Sequence, residues 1–467
     1  MMHRSAAVLA ALATSISVSG AAGAEFQTGQ AARAVIGQAS FSAREAGIVV
    51  HALAVSRNRL YAADASNHVL AFDLAKIPGP KDDLSDRQGP GCSVCGFSPV
   101  SVANQAVMRG VAGAAAYGKT VVVADAANHR VLVWRDSSAG SQKPDIVPGR
   151  AGTALLEPTS VAFDGRRLFV GDAGLHRVLV WNTLPMADDQ PADAVLGQPD
   201  FSSNAANDVP GANTLRTPAA LVSDGTNLFV ADAADRRILV FAPGDTALAS
   251  DAVVNSASLL AAPLAAGGLA TIRTKGQSDS SRVEVVLNGA PVPVLSISAE
   301  EIQIQTPNDL GNATAGSLYL RSQQAGGAVS VSNAVGVKLA SAFPGLYAFG
   351  GSEPRAGLLL HASAATSSGV PVTSDTPAKP GEVITAWGTG LGAVDEDGTV
   401  LNPVNAWVNG LRAEVVSAKL PEDALGVCEI RVILPADSGG KGTAQLFLTQ
   451  AGNASNTITF PVEQGNP

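Results

Sequence analysis

Val121 to Trp134 reads V-V-V-A-D-A-A-N-H-R-V-L-V-W, and the chain repeats the phrase with small changes three more times. The other copies are L-Y-A-A-D-A-S-N-H-V-L-A-F (Leu60 to Phe72), L-F-V-G-D-A-G-L-H-R-V-L-V-W (Leu168 to Trp181) and L-F-V-A-D-A-A-D-R-R-I-L-V-F (Leu228 to Phe241). Each is an apolar β run, a tight polar turn opened by Asp, and a second apolar β run, which together make a hairpin. Four copies of one hairpin predict a repeat architecture.

Working outward, the turn aspartates Asp64, Asp125, Asp172 and Asp232 lie 47 to 61 residues apart. That is long for a solenoid unit and suits a four-stranded propeller blade with loops. A short run rich in small residues precedes each hairpin, at Ala52 to Val55, Val111 to Ala115, Ser160 to Phe163 and Ala219 to Val222. These predict innermost strands near a crowded axis. A second phrase, A-R-A-V-I-G-Q-A-S-F-S (Ala32 to Ser42), returns as A-D-A-V-L-G-Q-P-D-F-S (Ala192 to Ser202) and weakly as D-I-V-P-G-R (Asp145 to Arg150). The later copies follow a hairpin and read as outer strands. The first has no preceding hairpin, so it is expected to pair near Ile238 to Phe241 and close the ring, removing exposed sheet edges.

The polar residues that recur at one turn position are read as serving the turn. An Asp side chain accepts backbone N–H groups two residues on, and Arg130, Arg177 or Arg236 lies near enough across the hairpin to pair with it. His68, His129 and His176 recur likewise, with Arg236 in the fourth copy, so a catalytic histidine set is not expected. Trp134, Trp181, Phe72 and Phe241 read as packing between neighbouring blades.

The V-A-D-x-x-N-x-R-V-x-V-[FW] hairpins resemble NHL repeats, and the G-Q-x-x-F segments resemble those of bacterial NHL-repeat propellers, over about residues 30 to 245. The resemblance implies a β-propeller. Family propellers usually have six blades; four are legible here, so a four-bladed ring is expected, with one or two degenerate blades as the alternative.

Beyond residue 250 the hairpin phrase disappears but strands continue, at Leu269 to Arg273, Val283 to Leu287, Val292 to Ile297, Ile302 to Thr306, Ser317 to Arg321 and Val329 to Val337. This layout recurs. Asn288-Gly289 answers Asn409-Gly410, each a preferred two-residue hairpin turn, and S-N-A-V at Asn333 answers S-N-T-I at Asn456. Two tandem β-sandwiches of immunoglobulin-like size follow. The region resembles the tandem Ig-like C-terminal module of exported acidobacterial proteins, through V-V-N-S-A-S (Val253 to Ser258), V-L-N-G-A-P-V-P-V-L (Val286 to Leu295), F-P-G-L-Y-A-F (Phe343 to Phe349) and P-A-K-P-G-E-V-I-T-A-W-G-T-G-L-G-A-V (Pro377 to Val394). It departs from that module at G-L-A-T-I-R-T-K-G-Q, where an edge is expected to be trimmed. The fold expected is all-β: a signal peptide (1–24), a propeller (25–250) and sandwiches at 251–342 and 343–467.

Composition agrees. The 467 residues are 46% hydrophobic and only 15% charged, with 48 Gly and 27 Pro, as many short strands and tight turns require. Arg4, the apolar run Ala6 to Val18 and Ala22-Gly23-Ala24 predict a Sec-type signal peptide cut before Glu25, hence a periplasmic, cell-surface or secreted protein. A formal charge of -9 with no Lys/Arg cluster excludes nucleic acid and anionic lipid as partners. Ala252 to Ile272 lacks charge but holds Asn255, Pro263 and Gly267-Gly268, so it reads as a junction with a first strand and not a membrane span. Cys92 and Cys95 stand in G-P-G-C-S-V-C-G-F, where a loop disulfide is expected, with free thiols, metal or redox chemistry as alternatives. Cys428 sits at a strand position as a buried small residue.

Two motifs fail as sites. G-T-G-L-G (Gly388 to Gly392) follows a strand but leads to no helix, so the anion-binding helix end is missing. Asp395-Glu396-Asp397-Gly398 has Val400 and Ala406 where a calcium-binding EF-hand loop needs Gly and Glu, and reads as a turn. The expectation is an exported non-enzymatic interaction protein without catalytic residues, cofactor or metal. Its recognition face would be the propeller loops Lys76 to Asn104 and Ser202 to Thr217, carried on Ig-like spacers and meeting a protein or carbohydrate partner at the cell envelope. The alternatives are a metal-dependent propeller enzyme of the lactonase or amidating-lyase kind, for which the inner strands offer no ligand beyond hydroxyls, and a structural envelope component.

Overall fold

The computed structural model describes residues 24–36, 38, 40–44, 50–56, 59–64, 69–74, 92–94, 111–135, 144–148, 154–274, 280–324, 327–362, 367–439 and 442–464. Among them the chain is all-β, with a few 3₁₀ turns, and no helix is long and apolar enough to cross a membrane. The expected signal peptide, His68, and the side chains of Asp64, Cys92 and Cys95 lie outside the described residues, as does the loop Lys76 to Asn104 apart from a strand at Cys92–Val94.

Among the described residues the N-terminal unit has fifteen strands: β1 (Ala34–Ile36), β2 (Val50–Ser56), β3 (Arg59–Asp64), β4 (Val69–Asp73), β5 (Cys92–Val94), β6 (Val111–Tyr117), β7 (Thr120–Asp125), β8 (Arg130–Trp134), β9 (Pro158–Phe163), β10 (Leu168–Asp172), β11 (Arg177–Trp181), β12 (Ala194–Leu196), β13 (Pro218–Ser223), β14 (Leu228–Asp232) and β15 (Arg237–Phe241). They form four antiparallel sheets with one plan: β2-β3-β4-β5, β6-β7-β8, β9-β10-β11-β12 and β13-β14-β15-β1. Each repeated hairpin supplies the two middle strands, and the small-residue run upstream supplies the first. Ile146 bridges Val133 where a fourth strand of the second sheet would lie. The first G-Q phrase pairs onto the last sheet, with Ala34 opposite Val240, Val35 opposite Leu239 and Ile36 opposite Ile238, so the far end of the unit is stitched to its beginning.

The first strands pack side by side, β6 on β9, β9 on β13 and β13 on β2. Their small residues permit it. A Cβ on Gly113 would lie 3.0 Å from Ser160 Cα, so a larger residue would force β6 away from β9. Apolar side chains fill the spaces between consecutive sheets. Val122, Val131, Val170, Leu179 and Trp181 lie between the second and third, and Ile36, Leu60, Phe229 and Ile238 between the fourth and first.

The tail forms two units, the first built of two sheets and the second of one continuous eleven-stranded sheet around a core of its own. The first has β16 (Val253–Asn255), β17 (Leu264–Ala265), β18 (Leu269–Arg273), β19 (Ser280–Leu287), β20 (Ala290–Val292), β21 (Val294–Ile297), β22 (Glu301–Gln305), β23 (Ala315–Gln324), β24 (Val329–Val331) and β25 (Val335–Ala340). Two expected strands are split. Pro293, which lacks an N–H, separates β20 from β21, and Ser332 to Ala334 separate β24 from β25. At that second break the Asn333 side chain accepts from Leu248 N–H (2.6 Å) and donates to Leu248 C=O (3.0 Å). Asn456 does the same with Leu346, at 2.8 and 3.0 Å. The Asn-Gly turns also match, with φ of 53° at Asn288 and 50° at Asn409.

One expectation changes. The first two-sheet unit is not a detached spacer, because its Val286, Tyr319, Val331 and Ala334 share a core with Phe26, Phe169, Leu196 and Phe241 of the N-terminal unit. Residues 26–33 run through this seam. Phe26 exchanges hydrogen bonds with the Asn182 side chain, Gln30 donates to Ala242 C=O, and the N–H groups of Ala31, Ala32 and Arg33 donate to Ala334, Ala212 and Val240.

Each paired asparagine satisfies one buried donor and one buried acceptor. Asn333→Ala and Asn456→Ala are therefore expected to destabilise the chain by about 2–4 kcal/mol each in urea unfolding. A loss too small to measure for either would show that water replaces the side chain.

Candidate functional site

The described turns of the repeated hairpins are polar, so what they do with their charges decides whether they are a site. In the third sheet Asp172 opens a 3₁₀ turn that ends on His176 in the left-handed conformation (φ 54°). Its carboxylate is fully buried and accepts from the N–H groups of Leu156 (3.2 Å) and Glu157 (2.8 Å), just ahead of β9. Arg177, 3.6 Å away, donates onward to Ala154 C=O and Phe201 C=O, both at 2.7 Å. In the fourth sheet Asp232 accepts from Arg216 (3.0 Å) and Thr217 (2.8 Å) and pairs with a guanidinium at 3.1 Å.

That guanidinium belongs to Arg237, not Arg236. Arg236 occupies the left-handed position (φ 52°) that His129 and His176 hold in their own turns, so its side chain leaves the hairpin in another direction. Arg237 is fully buried and also donates to Phe41, Gly211 and Thr214 carbonyls. The Asp125–Arg130 pair (2.8 Å) and the Asp172–Arg177 pair fall where the spacing places them.

Sequence reasoning missed the histidines' task. His129 Nδ1–H donates to Leu156 C=O and His176 Nδ1–H to Arg216 C=O, each at 2.5 Å. Leu156 and Arg216 are the residues whose N–H groups the next sheet's aspartate accepts. One residue thus links consecutive turns, its C=O to the histidine of the sheet before and its N–H to the aspartate of its own sheet. The signal was present in the sequence, since Leu156 and Arg216 each stand 16 residues before their aspartate, but only the packing of adjacent sheets makes it readable.

Burial raises the Asp172 carboxyl above its ordinary value, against the pull of the Glu157 N–H and of Arg177; burial does the same at Asp232, opposed first by Arg237. These groups already have their partners and are shielded from solvent. The turns are framework. Among the described residues no group of three or more His, Cys, Asp or Glu is arranged to hold a metal ion.

Two other places differ. Of the expected loop Ser202 to Thr217, the second half is structural, with Ala212 and Leu215 buried, whereas residues 204–209 are mostly exposed and Val209 keeps 65% of its surface in water. At the seam of the two tail units a cavity of about 180 Å³ is lined by Gly268, Gln305, Asn308, Gly390, Gly392 and Cys428 among others. G-T-G-L-G lines it because its glycines pass close to backbone: a Cβ on Gly390 would collide with Phe343 C=O. Thr389 joins the units there, accepting from Leu269 N–H (2.8 Å) and donating to Gly426 C=O (2.6 Å). Asp395 caps its turn by accepting from Asp397 and Thr399 N–H.

No family model matches the chain, and no curated protein matches it. Among solved structures it is similar to the surface glycan-binding protein PbSGBP-B of Prevotella bryantii, at 11% identity over 44% of this chain and 38% of that one, with a TM-score of 0.15. It is also similar to the fibronectin(III)-like modules of Clostridium thermocellum CbhA, at 15% identity over 45% of this chain and 94% of those modules, TM-score 0.16. The computationally designed Ika8 protein is matched at 12% identity over 86% of this chain and 100% of that one, TM-score 0.19. The match spans less than half the length of PbSGBP-B, and similarity this slight carries no argument about function.

Asp232→Ala is expected to cost about 3–5 kcal/mol, because it removes the acceptor of two backbone N–H groups and leaves the fully buried Arg237 with only the 3.5 Å contact to Asp235 as its ion pair. Asp125→Ala should cost clearly less, since Arg130 keeps 23% of its side chain in water. Denaturant unfolding of the two variants would test the order, and equal losses would refute it. Burial also pushes the Cys428 thiol up to about 11. With Cys92 and Cys95 changed to serine, alkylation of Cys428 at pH 8 should be about a hundredfold slower in the folded than in the unfolded chain.

Proposed function

We propose that the protein is an exported, non-enzymatic binding protein in which residues 25–250 form an NHL-type β-propeller and residues 251–342 and 343–467 form two Ig-like sandwiches. The four sheets of one plan, their consecutive packing through the first strands, and the return of β1 onto β15 support the propeller. The separate core of each tail unit and their matched asparagine contacts support the sandwiches. The exported setting rests on the N-terminal Arg4, apolar run and Ala-Gly-Ala pattern.

The observation that carries the binding reading is the fate of the repeated polar residues. Asp172, Asp232, Arg177, Arg237, His129 and His176 are all engaged in holding turns to one another. Recognition then falls to residues that differ from sheet to sheet, and the exposed stretch 204–209 is the clearest of these among the described residues.

Replacing Asn204–Asp208 with a Gly-Ser linker should leave the melting temperature within about 2 °C, as surface changes usually do. It should also abolish capture of the partner from the organism's envelope fraction. Elemental analysis should find well below one equivalent of calcium or zinc. A stoichiometric metal in the purified protein would overturn the reading in favour of an enzyme.

A further inference from the structure

The two tail units present the same sheet face to different surroundings. Two residues before the Asn288-Gly289 turn, Val286 lies opposite Tyr319 of the adjoining strand, and two residues before the Asn409-Gly410 turn, Trp407 lies opposite Phe447. The registers correspond bond for bond. Asn288 N–H donates to Ser317 C=O and Asn409 N–H to Gln445 C=O, both at 2.9 Å. Leu320 N–H donates to Ser332 Oγ and Leu448 N–H to Ser455 Oγ, again both at 2.9 Å. In the first unit this face is covered: Val286 and Tyr319 are 0% and 2% exposed, in the core shared with Phe26 and Phe169. In the second, Trp407 and Phe447 remain half-buried, and the strands that carry them make their main contacts with the strands beside them in the same sheet.

The open face differs chemically as well. Trp407 and Phe447 stack with centroids 6.2 Å apart and planes 11° from parallel. The indole is held in place, since its Nε1–H donates to Thr449 Oγ1 at 3.1 Å. The register sets Asn405 opposite Thr449 and Gln445 opposite Thr459, one pair to either side of the rings, with Arg412 across from Trp407. Arg412 donates to Asn405 Oδ1 at 3.2 Å, and exposed Glu414, two residues along the same strand, balances its charge.

We propose that this face of the second tail unit is a binding site for a neutral, extended glycan. The charge pattern selects the occupant. The rim carries no net charge: beside the self-balancing Arg412 and Glu414 it offers hydroxyls and amides that donate and accept, which complements a polyol carrying no charge and gives a polyanion no net attraction. A fixed pair of aromatic rings offers the apolar, slightly negative surface on which the C–H face of a pyranose packs, and it loses little conformational entropy on doing so. Where the equivalent face receives protein instead, it carries Val286 and Tyr319 within an apolar core. This site is separate from residues 204–209 of the N-terminal unit.

The test is affinity electrophoresis of the full-length protein in gels containing mixed-linkage β-glucan, galactomannan or xylan, with polygalacturonate as the charged control, followed by calorimetry with cellohexaose. At least one neutral polymer should retard the protein and polygalacturonate should not. Trp407→Ala should abolish retardation, and Phe447→Leu should weaken binding at least about tenfold, with unchanged melting temperatures. Arg412→Ala and Gln445→Ala, at exposed positions, provide variants that fold if Trp407→Ala does not, and both should weaken binding. The Asn204–Asp208 replacement should bind as the parent does. The proposal is overturned if no neutral polymer retards the protein, if these variants bind like the parent, or if the loop replacement loses binding. It is equally overturned if light scattering finds a Trp407-dependent dimer that binds no glycan, which would assign the face to a second copy.

Discussion

A carboxylate taken out of water needs donors, and the N-terminal unit is organised around supplying them. Asp172 and Asp232 are each surrounded by two backbone N–H groups and a guanidinium; the N–H groups come from the segment that leads into the first strand of the same sheet, and the guanidinium from the far strand of the hairpin. The turn therefore fixes the angle at which that strand enters. The histidine of the preceding turn holds the same lead-in peptide from its other side. Removing a carboxylate does not simply delete one contact, because it leaves a buried cation and frees a peptide that positions two sheets.

The second constraint is the seam between the N-terminal unit and the first tail unit. Phe26 packs edge-on against Phe169, with centroids 5.4 Å apart, and Arg167 lies 5.4 Å from the centre of its ring. The segment 26–33 is therefore part of both units: its backbone is bonded to strands of the first and to Ala334 of the second. A continuous apolar core joins the two, so the first tail unit is built onto the sheets and is not strung from them by a flexible spacer.

Much of this is legible in the amino-acid sequence where one residue type is forced by local geometry. The hairpins, the small-residue strands and the pairing of the first G-Q phrase with Ile238 to Phe241 are recoverable, because alternation and turn chemistry act over a few residues. Choosing Arg236 as the partner of Asp232 fails for an instructive reason. Two arginines are adjacent, and a single left-handed residue in the turn, invisible in composition, decides which one points back at the aspartate. The histidine contacts and the shared core escape sequence reading for a different reason: both join residues tens or hundreds of positions apart, so even the fixed 16-residue spacing of Leu156 and Arg216 from their aspartates means nothing until neighbouring sheets pack.

Repetition within this chain separates scaffold from specificity. Asp125, Asp172 and Asp232 keep one identity because each meets the same physical demand, a turn whose donors need an acceptor. Val286 and Trp407 share a register and meet different demands, so they diverge. A buried Val suffices where the neighbouring unit seals the face, and its small, featureless surface suits close packing. Trp, the largest side chain, is a poor choice for an idle surface, where it exposes apolar area to no benefit. Its presence beside Phe447, fixed by a hydrogen bond and surrounded by amides and hydroxyls, is what a sheet face acquires when something other than its own chain is meant to cover it.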